Sequence, residues 1–373
     1  MPTAVHADQL LALERAGRLR QLSPPSGLDF SSNDYLGLAA SPRIAHALQA
    51  AMARGVPLGS GGSRLLRGNH AAHEELEHTA ARWAGAQAAL FFANGFAANT
   101  ALLATLPQRG DLILYDALIH ASVHDGMALT RGERCAFFHN DVTAADDALT
   151  IWRRQGGKGR PWIVIESLYS MDGDRAPLAD FVTISRRHDA MLLIDEAHAT
   201  GVYGAHGAGL ADGLDGAENI ITLRTCGKAM GCEGALVFLS AALRDFLINR
   251  ARPFIFSTAP SPLMAAAVQE SIAMLRDEPW RREELAALVR HAAPRLAAFG
   301  AGSSDSQIIP LILGDEARTM AAAQALQQQG FDVRGIRPPT VPPGTARLRI
   351  SLTLNISRDD IDALCAALSG IFR

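Results

Sequence analysis

Cysteine is sparse in this 373-residue chain, and Cys135, Cys226, Cys232 and Cys365 form neither a CxxC pair nor a Cys/His ligand spacing. That excludes a disulfide framework and a zinc site, leaves no metal ligands to assign, and suits a reducing, cytoplasmic setting. Net charge is low too. With 35 Lys+Arg against 38 Asp+Glu, a formal charge of -3 is too weak to hold nucleic acid or an anionic membrane surface without a local basic patch. A long uninterrupted apolar run is also missing. The longest stretch, Ala88 to Leu106, is broken by Asn94, Gly95 and Asn99, whose polar groups hydrocarbon would leave unpaired. It reads as strand, turn and buried helix. The N-terminus carries Asp8 and Glu14 and has no apolar core, so it predicts an amphipathic helix and not a secretion signal. Repeats and low-complexity segments are absent.

What is present is 48% hydrophobic sequence, enough for one large α/β core and a smaller companion. The runs AALFFAN, DLILYDA, RPWIVIESLYS, AMLLIDEA, NIITLRT and GALVFLS are continuous and not alternating, the mark of strands covered on both faces. Between them, HEELEHTAARWAGA and PLADFVTISRRHD carry helical spacing. Strands alternating with helices predict crossover units and a mostly parallel central sheet with helices on both faces. After Pro262 the pattern turns to Ala-, Leu- and Arg-rich helices, then IIPLIL, a helix ending at Gly330, and FDVRGIRPPTVPPGTARLRISLT. This predicts a smaller C-terminal α/β domain with a proline-braced loop. The expected organisation is an N-terminal helix and crossing segment over 1–40, a large domain over 41–275 and a small domain over 276–373. Pro42 suits the first turn of a helix.

Three segments carry chemistry. Lys228, in TLRTCGKAMG, lies between a strand-like run and a small-residue turn; such a lysine is ordinarily a solvated charge, but a buried amine here would carry an electrophile. Asp195 ends the run MLLIDEAHATG at a strand terminus, where an open parallel sheet lines its ligand crevice. A buried acid there needs a positive partner, either a protonated ring nitrogen or a structural ion pair, unless it simply caps a helix. In ALFFANGFAAN, a strand passes through Asn94-Gly95-Phe96 into a helix, a turn able to present N–H groups to a phosphate. An aldehyde, a ring nitrogen and a phosphate together describe pyridoxal phosphate. His120 follows another strand and is either a ring-stacking imidazole or a loop histidine bonded to backbone. His198 would orient Asp195 or touch the cofactor. Thr225, Ser257 and Thr258 offer phosphate contacts, or strand packing and helix capping.

The motifs SSNDYLGL, GSGGSRLLRGN, SMDGD, DEAHATGVYG, the GK of Lys228, FSTAPSP and IRPPTVPPGTARLRISLT resemble the α-oxoamine synthases from about residue 10 to the C-terminus, and most closely the biotin-pathway member. The resemblance implies a fold-type-I pyridoxal phosphate-dependent transferase and a homodimer with active sites at the subunit interface. It implies Lys228 as the cofactor lysine, Asp195 as the pyridinium partner and His120 as the stacking residue. Ser170 and His198 would contact the 3-hydroxyl region, and Gly95, Phe96 and Thr225 the phosphate. Thr258 would reach the neighbouring subunit's phosphate. Asn33 and Arg349 fall where the family holds the substrate carboxylate; Arg347 competes, since alternate strand residues share a face. Arg20 matches an N-terminal substrate-binding arginine. The implied reaction is decarboxylative condensation of L-alanine with pimeloyl-CoA or pimeloyl-acyl carrier protein. Rivals are a sister synthase using glycine or serine, an aminotransferase on the same fold, and a regulatory relative without catalysis. Cys226, Met230, Glu233 and Arg67 depart from the family's usual residues and bear on acyl-chain or coenzyme A fit.

Overall fold

The computed structural model describes residues 3–302 and 304–372. Its central sheet contains β1 (Ala88–Phe92), β2 (Leu112–Asp116), β3 (Glu133–Phe137), β4 (Pro161–Glu166), β5 (Met191–Asp195), β6 (Ile220–Thr225) and β7 (Ala235–Leu239), in the order β1-β7-β6-β5-β4-β2-β3. Only β7 runs against its neighbours; the other pairings are parallel. Helices cover both faces, which is why the strand runs are apolar without alternation. Ile113, Val164 and Leu193 pack into one buried cluster, while Leu114, Ile163, Ile194 and their neighbours pack into another.

Six of these strands coincide with the predicted apolar runs. β3 was not among them. Four of its five residues, Glu133 to Cys135 and Ala136, are exposed, so this edge strand has no apolar run to announce it and is defined by its pairing with β2.

A three-stranded antiparallel sheet follows, built from β8 (Ile308–Gly314), β9 (Arg334–Ile336) and β10 (Ala346–Ser351) in the order β9-β10-β8. The anticipated junction at 275/276 falls inside the helix Pro262–Asp277. At the N-terminus, the helix Ala4–Arg15 buries none of its residues. The segment after it does the opposite: Phe30, Tyr35, Leu36 and Leu38 are fully buried. Backbone bonds tie it to the small sheet, from Ser351 N to Phe30 O at 2.9 Å and from Leu354 N to Tyr35 O at 3.0 Å. The crossing segment is therefore a strap that brings its polar residues under β10. Pro42 opens the helix Pro42–Ala53 at its first turn.

Beneath the sheet's C-terminal edge, Arg224 and Asp215 form a fully buried pair, with guanidinium-to-carboxylate bonds of 2.9 and 2.8 Å. Arg224 also donates to Ala208 O at 2.6 Å and lies 4.4 Å from the Phe238 ring centre. Removing one member strands a charge away from water, a cost of roughly 3–5 kcal/mol. Asp215→Ala should lose stability of that order in urea denaturation, and Asp215→Leu combined with Arg224→Met should recover most of it. A loss below about 1 kcal/mol in the single variant would contradict this account.

Candidate active site

Parallel strands deliver their C-terminal residues to one edge of the sheet, and there Glu166, Asp195 and Thr225 border a cavity of about 150 Å³. The remaining walls include Gly95, Phe96, Asn99, His120, His198 and Lys228. The helix Gly95–Thr105 starts at this edge because the Asn94 side chain caps it, accepting from Ala97 N at 2.8 Å.

Lys228 sits on a tight turn after β6, closed by Cys226 N to Gly234 O at 2.8 Å and Cys232 N to Cys226 O at 2.9 Å. Gly231 in this turn has φ +64°, and a Cβ there would lie 2.3 Å from the Leu38 carbonyl carbon, so only glycine lets the turn seat on the strap. The Lys228 Nζ is 2.6 Å from His198 Nε2. Burial lowers the amine from its ordinary 10.5 to about 8, Arg349 adding to the effect while the Asp195 charge opposes it. Burial, with Lys228 and Arg349 nearby, also drives His198 well below the usual imidazole range, so its ring is neutral. The Tyr35 hydroxyl donates to Asn33 Oδ1 at 2.9 Å and lies 2.7 Å from His198 Nδ1. Nδ1–H must then be the donor to Tyr35, leaving Nε2 to accept from Lys228.

Asp195 accepts from Asn99 Nδ2 at 2.7 Å and from Ala197 N at 2.9 Å. It makes no ion pair among the described residues, so the structural-pair alternative for this acid is not what the fold provides. Its register partner on β4 is Glu166, buried with Oε1 lacking any hydrogen-bond partner. Burial first, then the Asp195 charge, push Glu166 well above the usual carboxyl range, which keeps it a neutral acid. His120 is the backbone-bonded histidine of the second sequence reading, and it also borders the cavity. Its Nδ1 accepts from Ser122 N at 3.2 Å as a helix cap, and that bond sets the ring against the cavity. Thr225 Oγ1 lies 3.4 Å from both Gly234 O and Gly227 N, weakly engaged and facing the helix start at Gly95.

The two candidate arginines of β10 separate clearly. Arg347 is ion-paired with Asp172 and donates to Met171 O at 3.2 Å and Thr345 O at 2.9 Å. Arg349 meets no carboxylate among the described residues; it donates to Ser170 O at 2.6 Å, Ser351 Oγ at 2.7 Å and Asn33 Oδ1 at 3.1 Å. Arg349 is thus the cation left with an anion to bind, next to the Asn33–Tyr35–His198–Lys228 chain. The loop that supplies Ser170 O is itself clamped. Asp174 accepts from His139 Nε2 at 2.8 Å and Asn140 Nδ2 at 2.7 Å, and His139 Nδ1 faces Asp116 Oδ1 at 3.0 Å. Bracketed by two carboxylates, His139 is raised to about 10 despite its burial.

Other expected residues lie apart from the cavity. Arg20 and Ser170 line an adjoining cleft of about 700 Å³ that shares His120 and is walled by Leu118, Ile119, Met171 and the prolines from 338 to 343. Arg20 donates to Thr340 Oγ1 at 3.4 Å. Thr258 is exposed and does not border the cavity of its own chain. Cys226 and Met230 are buried core residues under the lysine turn, and Glu233 and Arg67 are exposed. Sequence reading missed Tyr35, Asn99, Ser122 and Glu166. Glu166 was findable, since it closes a buried strand as Asp195 does.

Residues 25–368 match the aminotransferase class I and II family. The chain belongs to that family. It is 42% identical over 359 residues to the 8-amino-7-oxononanoate synthase of Anaeromyxobacter dehalogenans, covering 95% of this chain and 89% of that protein. Among solved structures, a serine palmitoyltransferase from S. paucimobilis with bound PLP–myriocin superposes with a TM-score of 0.88 at 27% identity, covering 99% of this chain and 97% of that one. The 8-amino-7-oxononanoate synthase of Francisella tularensis gives 0.79 at 26%, covering 92% and 97%. The architecture is accordingly that of a fold-type-I transferase, a mostly parallel sheet between helical layers.

The amine of Lys228 should titrate far below an ordinary lysine. In protein stripped of cofactor, reductive methylation at Lys228, followed by mass spectrometry, should rise with a midpoint near pH 8. Asp195→Asn removes a charge that favours the ammonium form, so the midpoint should fall further. An upward shift, or a midpoint near 10.5 in the unaltered protein, would contradict the geometry.

Proposed function

We propose that this chain is an 8-amino-7-oxononanoate synthase, a pyridoxal phosphate-dependent acyltransferase of biotin biosynthesis. It condenses L-alanine with pimeloyl-CoA or pimeloyl-acyl carrier protein and releases carbon dioxide and the free thiol. One observation carries the reading: a weakly basic, buried lysine and a buried acid without a cation face the same small cavity. The residues fit the cofactor. Asp195 has room for a positive ring nitrogen, the unpartnered Glu166 Oε1 marks polar space still to be filled, and the capped helix start at Gly95 and Phe96 suits a phosphate.

When bound, pyridoxal phosphate supplies an electrophilic aldehyde and a ring that accepts electrons. Lys228 would hold the aldehyde until alanine's amine takes its place there, and the freed Nζ, its pKa lowered to about 8 by burial, is then sufficiently uncharged near neutral pH to take the α-proton of alanine. Asp195 keeps the ring nitrogen protonated, and Asn99 and Ala197 N fix its carboxylate. His120 would cover one ring face and His198 would serve the 3-hydroxyl side, with Ser170 reaching it from the adjoining cleft. Thr225 and the N–H groups after Asn94 hold the phosphate. Arg349 and Asn33 would hold the alanine carboxylate through charge-assisted hydrogen bonds, which orients the α-carbon toward Lys228. The apolar cleft beyond His120 takes the acyl chain, with Arg20 as a cation for its distal carboxylate.

Thr258, exposed in its own chain, is assigned to the phosphate of a neighbouring subunit, which makes the working unit a homodimer. Four free cysteines support a reducing cytoplasm, and no helix among the described residues is long and apolar enough to cross a membrane. The anticipated division at 275/276 is retained as a large cofactor-binding part and a small part carrying Arg349. A serine-using reading draws on the higher TM-score to serine palmitoyltransferase, 0.88 against 0.79. The two solved structures barely differ in sequence identity, 27% against 26%, while the curated relatives favour the alanine-using reading, with an 8-amino-7-oxononanoate synthase at 42% over 359 residues.

The test is thiol release by purified protein with pyridoxal phosphate, alanine and pimeloyl-CoA, compared with glycine, with serine and with shorter or longer thioesters. Alanine with pimeloyl-CoA should be preferred at least tenfold in kcat/KM, a difference of about 1.4 kcal/mol. Equal turnover with serine and a long acyl chain would overturn the substrate assignment. Lys228→Ala should abolish both turnover and the visible absorbance of the bound cofactor. Arg349→Met should raise KM for alanine by one to two orders of magnitude, the loss expected for a charged hydrogen-bonding partner of roughly 1.5–3 kcal/mol.

A further inference from the structure

Away from this site, the helix Trp280–Ala297 and the turns at Tyr203 and Asp305 enclose a cleft of about 650 Å³. It shares no wall residue with the Lys228 cavity. Its floor is apolar, from Val202, Leu285, Val289 and Ala293, and its rim carries Arg175, Arg282 and Arg290 against a single acid, Asp305. None of these three guanidinium groups forms an ion pair among the described residues. Arg175 lies over the Tyr203 ring at 4.6 Å and reaches Asp305 O at 3.4 Å. Arg282 is half-buried and uses one nitrogen on Leu275 O at 2.5 Å. Burial lowers its pKa, and the neighbouring Glu283 charge offsets this only in part, so the guanidinium is desolvated without an ion pair.

In a chain whose formal charge is -3, three arginines without an ion pair among the described residues, converging on one apolar-floored cleft, form a binding surface for an anion with a hydrocarbon body. Arg282 and Arg290 stand eight positions apart on one helix face, about 12 Å along the axis. That separation matches a ligand carrying negative charge at both ends of a stretched chain.

We propose that this cleft is a second small-molecule site that binds an aliphatic dicarboxylate, its carboxylates held by Arg282 and Arg290 and its chain lying on Leu285 and Val289. The site is wired to the catalytic one. The Tyr203 hydroxyl donates to Gln307 Oε1 at 3.0 Å, and Gln307 Nε2 donates to the His198 carbonyl at 2.8 Å, so a ligand against Tyr203 touches the group that fixes the peptide of His198.

Isothermal titration calorimetry of the holoenzyme with azelate tests this, with the uncharged diamide of the same chain as control. Azelate should bind saturably at one site per chain, the Kd should rise at least fivefold in R282Q and in R290Q, and the diamide should give no binding heat. Arg290 is exposed, so R290Q keeps the comparison informative even if R282Q folds poorly. R20Q separates this cleft from the acyl-chain cleft, and binding should persist in it. Absence of saturable binding, equal affinity in R290Q, equal binding of the diamide, or loss confined to R20Q would each overturn the proposal.

Discussion

An acid buried at a strand end without a cation of its own sets the terms for everything around it. Burying Asp195 is costly unless a positive group arrives, and the fold supplies only neutral donors, Asn99 and a backbone N–H. Its neighbour Glu166, buried and facing the Asp195 charge, stays protonated. Lys228 stands close enough to feel the Asp195 charge, yet it spends its hydrogen bond on His198. Asp195 is therefore left without a cation bonded to it, a partner that a cationic heterocycle would supply.

The second pole of the site is assembled from segments far apart in sequence. Asn33 and Tyr35 come from the N-terminal strap, Ser170 from the loop after β4, and Arg349 from the small sheet. Each needs the others: the strap is held by β10 backbone bonds, and the loop is held by a histidine kept cationic between Asp116 and Asp174. The result is a buried arginine fixed on three sides and facing no carboxylate among the described residues. Rigid support of this kind is what a carboxylate-orienting residue requires, because a small misplacement of a reacting group is costly.

Much of this was legible in the residues. Continuous apolar runs gave six strands of the main sheet, and the strand-terminal position of Asp195 placed it on the cavity. What stayed hidden has physical reasons. β3 is an exposed edge strand, so burial left no pattern in it. Tyr35 looked like part of a polar crossing segment, although tertiary packing makes that segment core. Arg347 and Arg349 are equivalent by strand periodicity, and only Asp172, distant in sequence, tells them apart. Ser170 contributes a carbonyl to Arg349, a role no side-chain pattern encodes.

The polar margin at β3 has a consequence for how the molecule behaves among copies of itself. An open strand edge is a template for intermolecular pairing, and charged side chains are the usual deterrent. Glu133 and Arg134, exposed on the outermost strand, put opposite charges at the one rim where the large sheet ends in parallel pairing. A second chain seeking to extend the ladder would have to desolvate both, so the sheet stops growing there and the protein resists zippering into aggregates.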